Sequence, residues 1–352
     1  MFFLRLLLFP FALLYGCIVA LRNFLYDRKI YGSIVYDFPV ICIGNLSTGG
    51  TGKSPHVEYL IRLLQQNNLN PATLSRGYKR KTTGFLMADK NATAATIGDE
   101  PLQFYKKFNE QVPVAVAENR MLGIAELLAH VPETNVILLD DAFQHRAVEA
   151  GFNVLITRFD KLFTDDFLMP MGLLREFRNG AKRAQAIVVS KCPDNIPENE
   201  RSQIVKKIKK YSSAPIFFST IKYTVIKSFF GNADFDFKKE TIFIAGIADH
   251  KVPEKYLRTI VQKVSTVSFA DHHNFDITDL EMIFRTVEKQ NRTWDEFNLI
   301  TTEKDAMRLM SFRFWFEEKK LNLFILPIEI EFCNYNKTKF DELILNFANS
   351  AI

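Results

Sequence analysis

The apolar run Val40-Ile41-Cys42-Ile43-Gly44 enters Asn45-Leu46-Ser47-Thr48-Gly49-Gly50-Thr51-Gly52-Lys53-Ser54, and this junction constrains the chain more than any other feature. It reads as a buried strand, a phosphate-binding loop and a helix. Glycines let the loop turn its N–H groups toward phosphate oxygens, Lys53 adds a positive charge, and Ser54 offers a hydroxyl to Mg²⁺. The expected nucleotide contacts are Ser47, Thr48, Gly49, Gly50, Thr51, Gly52, Lys53 and Ser54. Val57, Leu60, Ile61 and Leu64 repeat at helical spacing behind the loop, and Pro55 falls in the first turn, where a missing N–H is harmless. Ser47 stands where the G-x-x-x-x-G-K-[ST] pattern has its first glycine, so Gly49 and Gly50 are expected to supply the backbone freedom. An ordinary glycine-rich turn is the competing reading; strand, Lys-Ser pair and helix together weigh against it.

With 352 residues the chain is long enough for about two domains, each with its own core. A hydrophobic fraction of 47% with 24% charged residues is that of a folded globular protein. The net charge of +5 suits anionic substrates or an anionic membrane surface, and no block of like charge points to nucleic acid. Cys17, Cys42, Cys192 and Cys333 lie far apart without CxxC pairing, as expected of a reducing compartment and no zinc site. From Leu6 to Leu21 there is no charge, with Arg5 before the run and Arg22, Arg28 and Lys29 after it. This reads as a membrane anchor. As a helix it would be about 24 Å long, short of the roughly 30 Å hydrocarbon core, so spanning and lying in the membrane both stay open. A cleaved signal peptide competes, but no small-x-small site precedes Arg22. A buried helix is the other alternative, because Phe and Leu cover every face. The basic residues that follow predict a cytoplasmic main body.

Beyond the loop, strands alternate with helices. Val112 to Ala117, Val136 to Leu139, Asn153 to Ile156 and Ala186 to Val189 read as strands, and Met121, Ile124, Ala125 and Leu128 mark a helix. The expected fold is a P-loop NTPase-like three-layer α/β/α core with a second, smaller α/β lobe and an N-terminal hydrophobic helix. The expected segments are 1–28 for that helix, 29–220 for the core, 221–240 for a linker, with two short strands as the alternative there, and 241–352 for the C-terminal lobe. In such folds ligands gather beyond the carboxyl ends of the strands, so Asp140 and Asp141 can meet Mg²⁺ near Lys53 as a Walker B element. Taken alone, two Asp after an apolar run are equally a loop or helix cap. Further polar clusters are Ser75-Arg76-Gly77-Tyr78, Gly98-Asp99-Glu100-Pro101, Ala117-Glu118-Asn119-Arg120 and Asp271-His272-His273. By spacing, Asp99 reads as a helix N-cap and the two His as a solvated loop.

Taken together, NLSTGGTGKSP (45–55), SRGY (75–78), GDEP (98–101), DDAFQHR (140–146), LRE (174–176), DHH (271–273) and TEKDA (302–306) resemble the tetraacyldisaccharide 4′-kinases, the lipid A 4′-kinases of Gram-negative bacteria. The motifs run in order over most of the chain. Ala142, where the family usually has Gly, and Ala248-Asp249-His250 are local departures. The resemblance implies transfer of the ATP γ-phosphate to the 4′-hydroxyl of a tetraacylated disaccharide 1-phosphate at the inner membrane, on whose cytoplasmic face the main body is expected; a monomer is expected, with the oligomeric state left open. It implies Asp99 as acceptor of the hydroxyl proton with His272 as its partner, Ser54, Asp140, Asp141 and Glu176 around Mg²⁺, and Arg76, Arg120, Arg146, Arg175 and Lys304 as cations for substrate phosphates. The loop is also similar to that of deviant-Walker ATPases, whose signature lysine falls early in the loop; Asn45 to Gly50 has none. A membrane-tethered nucleotide-binding scaffold without turnover is the third reading.

Overall fold

A computed structural model describes residues 2–288, 293–333 and 336–350. All five residues of the strand Val40–Gly44 are buried, and it lies inside a nine-stranded sheet. Its parallel neighbours are Val136–Asp140 and Phe152–Arg158. Beyond Val136–Asp140 come Pro71–Ser75, Val114–Val116 and the antiparallel edge Leu86–Met87. Beyond Phe152–Arg158 come Ala186–Ser190, Ile216–Tyr223 and the antiparallel edge Ile328–Phe332. Alternate side chains of one strand serve opposite cores: Val40 and Cys42 pack with Leu139, Leu155 and Val189, whereas Ile41 and Ile43 pack with Val57, Leu60, Ile61 and Leu64 of the loop's helix. Burial on both faces explains why these strands read as continuous apolar runs. The three-layer core is therefore present.

The observed boundaries depart from the expected ones around the linker and at the C-terminal end. Ile216–Tyr223 runs past 220, and Lys227–Ser228, inside the expected linker, forms the edge of a second sheet. That five-stranded sheet continues with Leu323–Leu326, Phe297–Thr302, Glu240–Ala245 and Val264–Ser268. The chain then leaves the second lobe. Ile328–Phe332 pairs with the first sheet, and the helix Asn336–Ser350 buries Phe340, Ile344 and Ala348 in the first lobe's core. The expected lobe 241–352 thus loses its last two elements, which cover apolar surface beside the loop's helix; Tyr59 donates to Asp341 at 2.6 Å there. Met1, 289–292, 334–335 and 351–352, included in the expected segments, lie outside the described residues.

One ammonium group joins the lobes. Lys107 Nζ lies 2.7 Å from both Glu58 on the loop's helix and Glu303 at the start of a second-lobe helix, and it donates to the carbonyl of Ile328 at 3.1 Å. Burial pushes the Glu58 carboxyl upward, and Lys107 offsets this only in part.

The N-terminal helix Phe2–Asp27 continues through Pro10. By length and composition its segment Leu7–Asp27 is apolar enough to cross a membrane. One face is docked: Ala12 is buried, Tyr15 donates to the carbonyl of Arg175 at 2.7 Å, Arg22 donates to the carbonyl of Gln144 at 2.9 Å, and Arg146 donates to the carbonyl of Asn23 at 2.8 Å and pairs with Asp27. Leu7, Phe11, Leu14, Ile18 and Leu21, each over 60% exposed, form a single stripe at helical spacing on the outer face.

Candidate active site

The loop after Gly44 is built by hydrogen bonds from three neighbouring segments. Thr48 N–H donates to the carbonyl of Leu173 at 2.8 Å, and Arg175 N–H donates to the carbonyl of Leu46 at 2.7 Å. Ser47, at the motif's first position, bridges Leu174 and does not occupy a left-handed conformation, so no glycine is needed there. Left-handed φ values fall instead at Gly49 (98°) and Gly52 (86°), while Gly50, expected to share that task, has none. Asn45 Nδ2 donates to Thr51 Oγ1 at 2.8 Å, and Ser190 Oγ holds the Thr51 carbonyl at 2.6 Å. On the first turn of the helix Lys53–Gln66, His56 bridges the Gly52 carbonyl (2.6 Å) and Ser219 Oγ (3.0 Å).

Lys53 Nζ stands 3.6 Å from Asp141 Oδ1, which also accepts from Arg175 Nη2 at 2.8 Å. Burial acts to raise the Asp141 carboxyl, but Lys53 and Arg175 outweigh it and hold it below the usual carboxylate range. Its φ of 49° is left-handed, a conformation that a non-glycine residue keeps only where its surroundings enforce it. Asp140, the last residue of its strand, is buried with no hydrogen-bond partner for Oδ1. Burial first, then the charges of Glu100 and Asp141, push its carboxyl upward. A buried, unpartnered carboxylate oxygen beside an anion-binding loop fits a divalent cation. Among the described residues no group of three or more His, Cys, Asp or Glu could hold a metal by itself, so such a cation would draw further oxygens from Ser54, nucleotide and water.

Glu176 does not join this group. Its carboxylate is buried against Arg183, with both contacts at 2.8 Å, and accepts from Gln144 at 2.9 Å and Asn23 at 3.0 Å. These contacts fasten the N-terminal helix to the body, and the expected place of Glu176 near Mg²⁺ is set beside them. Arg146 is engaged with the same helix. Arg120 is buried with Nη1 on the carbonyl of Ala117 at 2.6 Å, while Arg76 is exposed.

Glu100, of the Gly98-Asp99-Glu100-Pro101 cluster, is the carboxylate that the structure brings to Ser54. Its Oε1 accepts from Ser54 Oγ at 3.3 Å and from Lys304 Nζ at 3.0 Å. Lys304 lies 3.9 Å from Asp99 Oδ2 and 3.3 Å from His272 Nε2. Asp99 opens the helix Asp99–Lys107, with Gly98 and not Asp99 at the N-cap. His272 Nδ1 is 3.4 Å from Asp99 Oδ2. An ammonium only donates, so His272 Nε2 accepts from Lys304 and Nδ1 carries the proton that faces Asp99. Burial acts to raise the Asp99 carboxyl, yet the His272 hydrogen bond and the charges of Lys304 and Arg308 prevail and hold it well below its ordinary range. His273 points elsewhere: Nε2 is 2.7 Å from Asp279, and the ring stacks on Phe269. Arg308, which reaches Asp99 Oδ2 through two nitrogens, was missed from the sequence although it lies one helical turn after Lys304.

The family model for tetraacyldisaccharide-1-P 4′-kinase matches residues 4–349. A tetraacyldisaccharide 4′-kinase of Flavobacterium johnsoniae is 47% identical over 98% of this chain and 97% of its own length. One from Bacteroides thetaiotaomicron is 40% identical over 97% and 92%. Among solved structures, the "apo" form of LpxK from Aquifex aeolicus in complex with ATP aligns with a TM-score of 0.76 at 29% identity, covering 98% of this chain and 99% of that one.

Proposed function

The chain belongs to the tetraacyldisaccharide 4′-kinase family, and on that premise we propose how its own residues carry the phosphoryl transfer. It is an ATP-dependent kinase that phosphorylates the 4′-hydroxyl of tetraacyldisaccharide 1-phosphate in lipid A biosynthesis. Such transfer demands positioning and charge neutralisation more than covalent catalysis. The N–H groups of Gly49 to Lys53 cradle the β- and γ-phosphates, and the Lys53 ammonium faces the oxygens on which charge accumulates. Ser54, Asp140 and Asp141 would hold Mg²⁺, which when bound would add neutralisation of phosphate charge. Asp99 accepts the proton of the sugar hydroxyl, with His272 orienting the carboxylate and sharing its charge.

The observation that carries this reading is the short chain of contacts running from Ser54 through Glu100 and Lys304 to Asp99 and His272. It joins the phosphate end of the cleft to the proton acceptor. The N-terminal helix lies along the cytoplasmic face of the inner membrane without spanning it; its docked face is occupied by the body, and its outer stripe is free for lipid. The test is incubation of the purified protein with labelled ATP and tetraacyldisaccharide 1-phosphate, scored as bis-phosphorylated lipid. Lys53→Ala should lower that rate at least about 100-fold with the fold intact. Near-normal turnover in this variant defeats the assignment of the loop.

A further inference from the structure

Arg308 sits behind Asp99, 7% exposed at its side chain, with all three guanidinium nitrogens engaged. Nε and Nη2 donate to Asp99 Oδ2 at 3.0 and 2.9 Å. Nη1 donates to Asp305 Oδ1 at 2.9 Å and to the Gly246 carbonyl at 3.1 Å. That carbonyl also accepts the backbone N–H of His272 at 3.0 Å, so one oxygen is shared by Arg308 and the loop that presents the imidazole. Asp305 is fixed in turn, because Oδ2 accepts from Gly246 N at 3.0 Å and from Thr302 Oγ1 at 2.8 Å. His272 is held at a φ of 57°, which this surrounding framework enforces.

We infer that Arg308 is a positioning residue for the reaction: from the second lobe it fixes the Asp99 carboxylate of the first lobe and, through the Gly246 carbonyl, the loop that carries His272. The inference rests on the reading of Asp99 as the proton acceptor. Lys304 has a different place, more exposed than Arg308 and in contact with Glu100 beside the nucleotide loop. Arg308, nearly buried and with every guanidinium nitrogen engaged by protein, acts through Asp99 and His272. Its planar fork matters. A lysine at this position is a point charge that can face Asp99, or Asp305 and the Gly246 carbonyl, but not both in one geometry.

The test uses the full-length protein, with initial rates and direct measurement of ATP binding for Arg308→Gln, Arg308→Lys, Asp99→Asn and the double variant Asp99→Asn/Arg308→Gln. Arg308→Gln should lower kcat about 100-fold while ATP affinity changes less than about threefold, the split expected when the proton acceptor is misplaced and the phosphate loop is intact. Arg308→Lys should recover part of the rate. The double variant should be within about threefold of Asp99→Asn alone, since the two residues act as a unit. If Arg308→Gln does not fold, Arg308→Lys decides the matter: a kcat loss at unchanged ATP affinity supports the inference, and a wild-type kcat overturns it. Multiplicative losses in the double variant, or parallel losses of kcat and ATP affinity, also overturn it. An Asp99→Asn enzyme of normal rate would remove the reading of Asp99 itself. An inactive Asp99→Asn beside near-normal Arg308 variants would remove only the role of Arg308.

Discussion

Asp99 Oδ2 is faced by Arg308, Lys304 and His272, all three from the second lobe. A carboxylate so surrounded stays ionised, and the imidazole Nδ1–H faces it. If Asp99 and His272 share one step, each Ala variant should lose about 100- to 10,000-fold in kcat, and the double variant should be scarcely worse than the poorer single one. Steady-state kinetics on the four proteins check this, with His273→Ala as a control whose effect should be small, its ring being committed to Asp279 and Phe269. A damaging His273→Ala beside a mild His272→Ala reverses the choice. Glu176 gives the opposite kind of prediction. Removing its carboxylate strands Arg183 and unfastens Asn23, so Glu176→Ala should destabilise the protein by about 3–5 kcal/mol while the folded fraction keeps its Mg²⁺-dependent ATP affinity. A stable variant that had lost that affinity would restore Glu176 to the metal.

At the level of elements, the helix behind the loop is pinned to the sheet by His56, buried between the Gly52 carbonyl and Ser219 Oγ. Burial lowers its pKa to about 4 from an ordinary 6.5. Between those values the unfolded chain binds more protons than the folded one, so stability rises with pH through the window and is lost as the solution is acidified from about 6.5 toward 4. The slope from this residue is at most about 1.4 kcal/mol per pH unit. His56→Gln, which keeps a donor and an acceptor but cannot titrate, should show a flatter fall in urea midpoint between pH 6.5 and 4.5. Parallel curves for the two proteins would show that His56 titrates alike in both states.

For the whole molecule, the nine-stranded and five-stranded sheets are joined by contacts at Lys107 and at Asp99, with an amphipathic edge supplied by the N-terminal helix. Changing Leu7, Phe11, Leu14 and Ile18 to Ser removes apolar surface worth about 1.5–3 kcal/mol per side chain on full burial, and leaves the docked face untouched. Co-sedimentation with anionic lipid vesicles should fall by at least about tenfold, while ATP binding is retained. Undiminished sedimentation would assign membrane attachment to another surface.

The loop was legible in the sequence because its chemistry is local: Val40 to Ser54 is one contiguous stretch whose strand, glycines and Lys-Ser pair all act within a few residues of one another. The buried strands were legible because burial on both faces leaves a continuous apolar signature. By sequence spacing alone Asp99 read as a helix cap and His272 as a solvated loop; their partnership came only from the family resemblance, and its geometry from contacts between residues over 170 apart in the chain. Glu176 and Glu100 illustrate the limit. Both are acidic residues in polar clusters, and nothing in their neighbours along the chain says that Arg183 and Asn23 occupy one while Ser54 and Lys304 meet the other. The return of Ile328–Phe332 and Asn336–Ser350 to the first lobe was equally hidden, because an apolar strand or helix declares that it must be covered but not which sheet will cover it. Local pattern therefore determined the elements and the phosphate loop, while the pairing of charges across the cleft was decided by the tertiary structure, where through-space distance and not chain separation sets the energy.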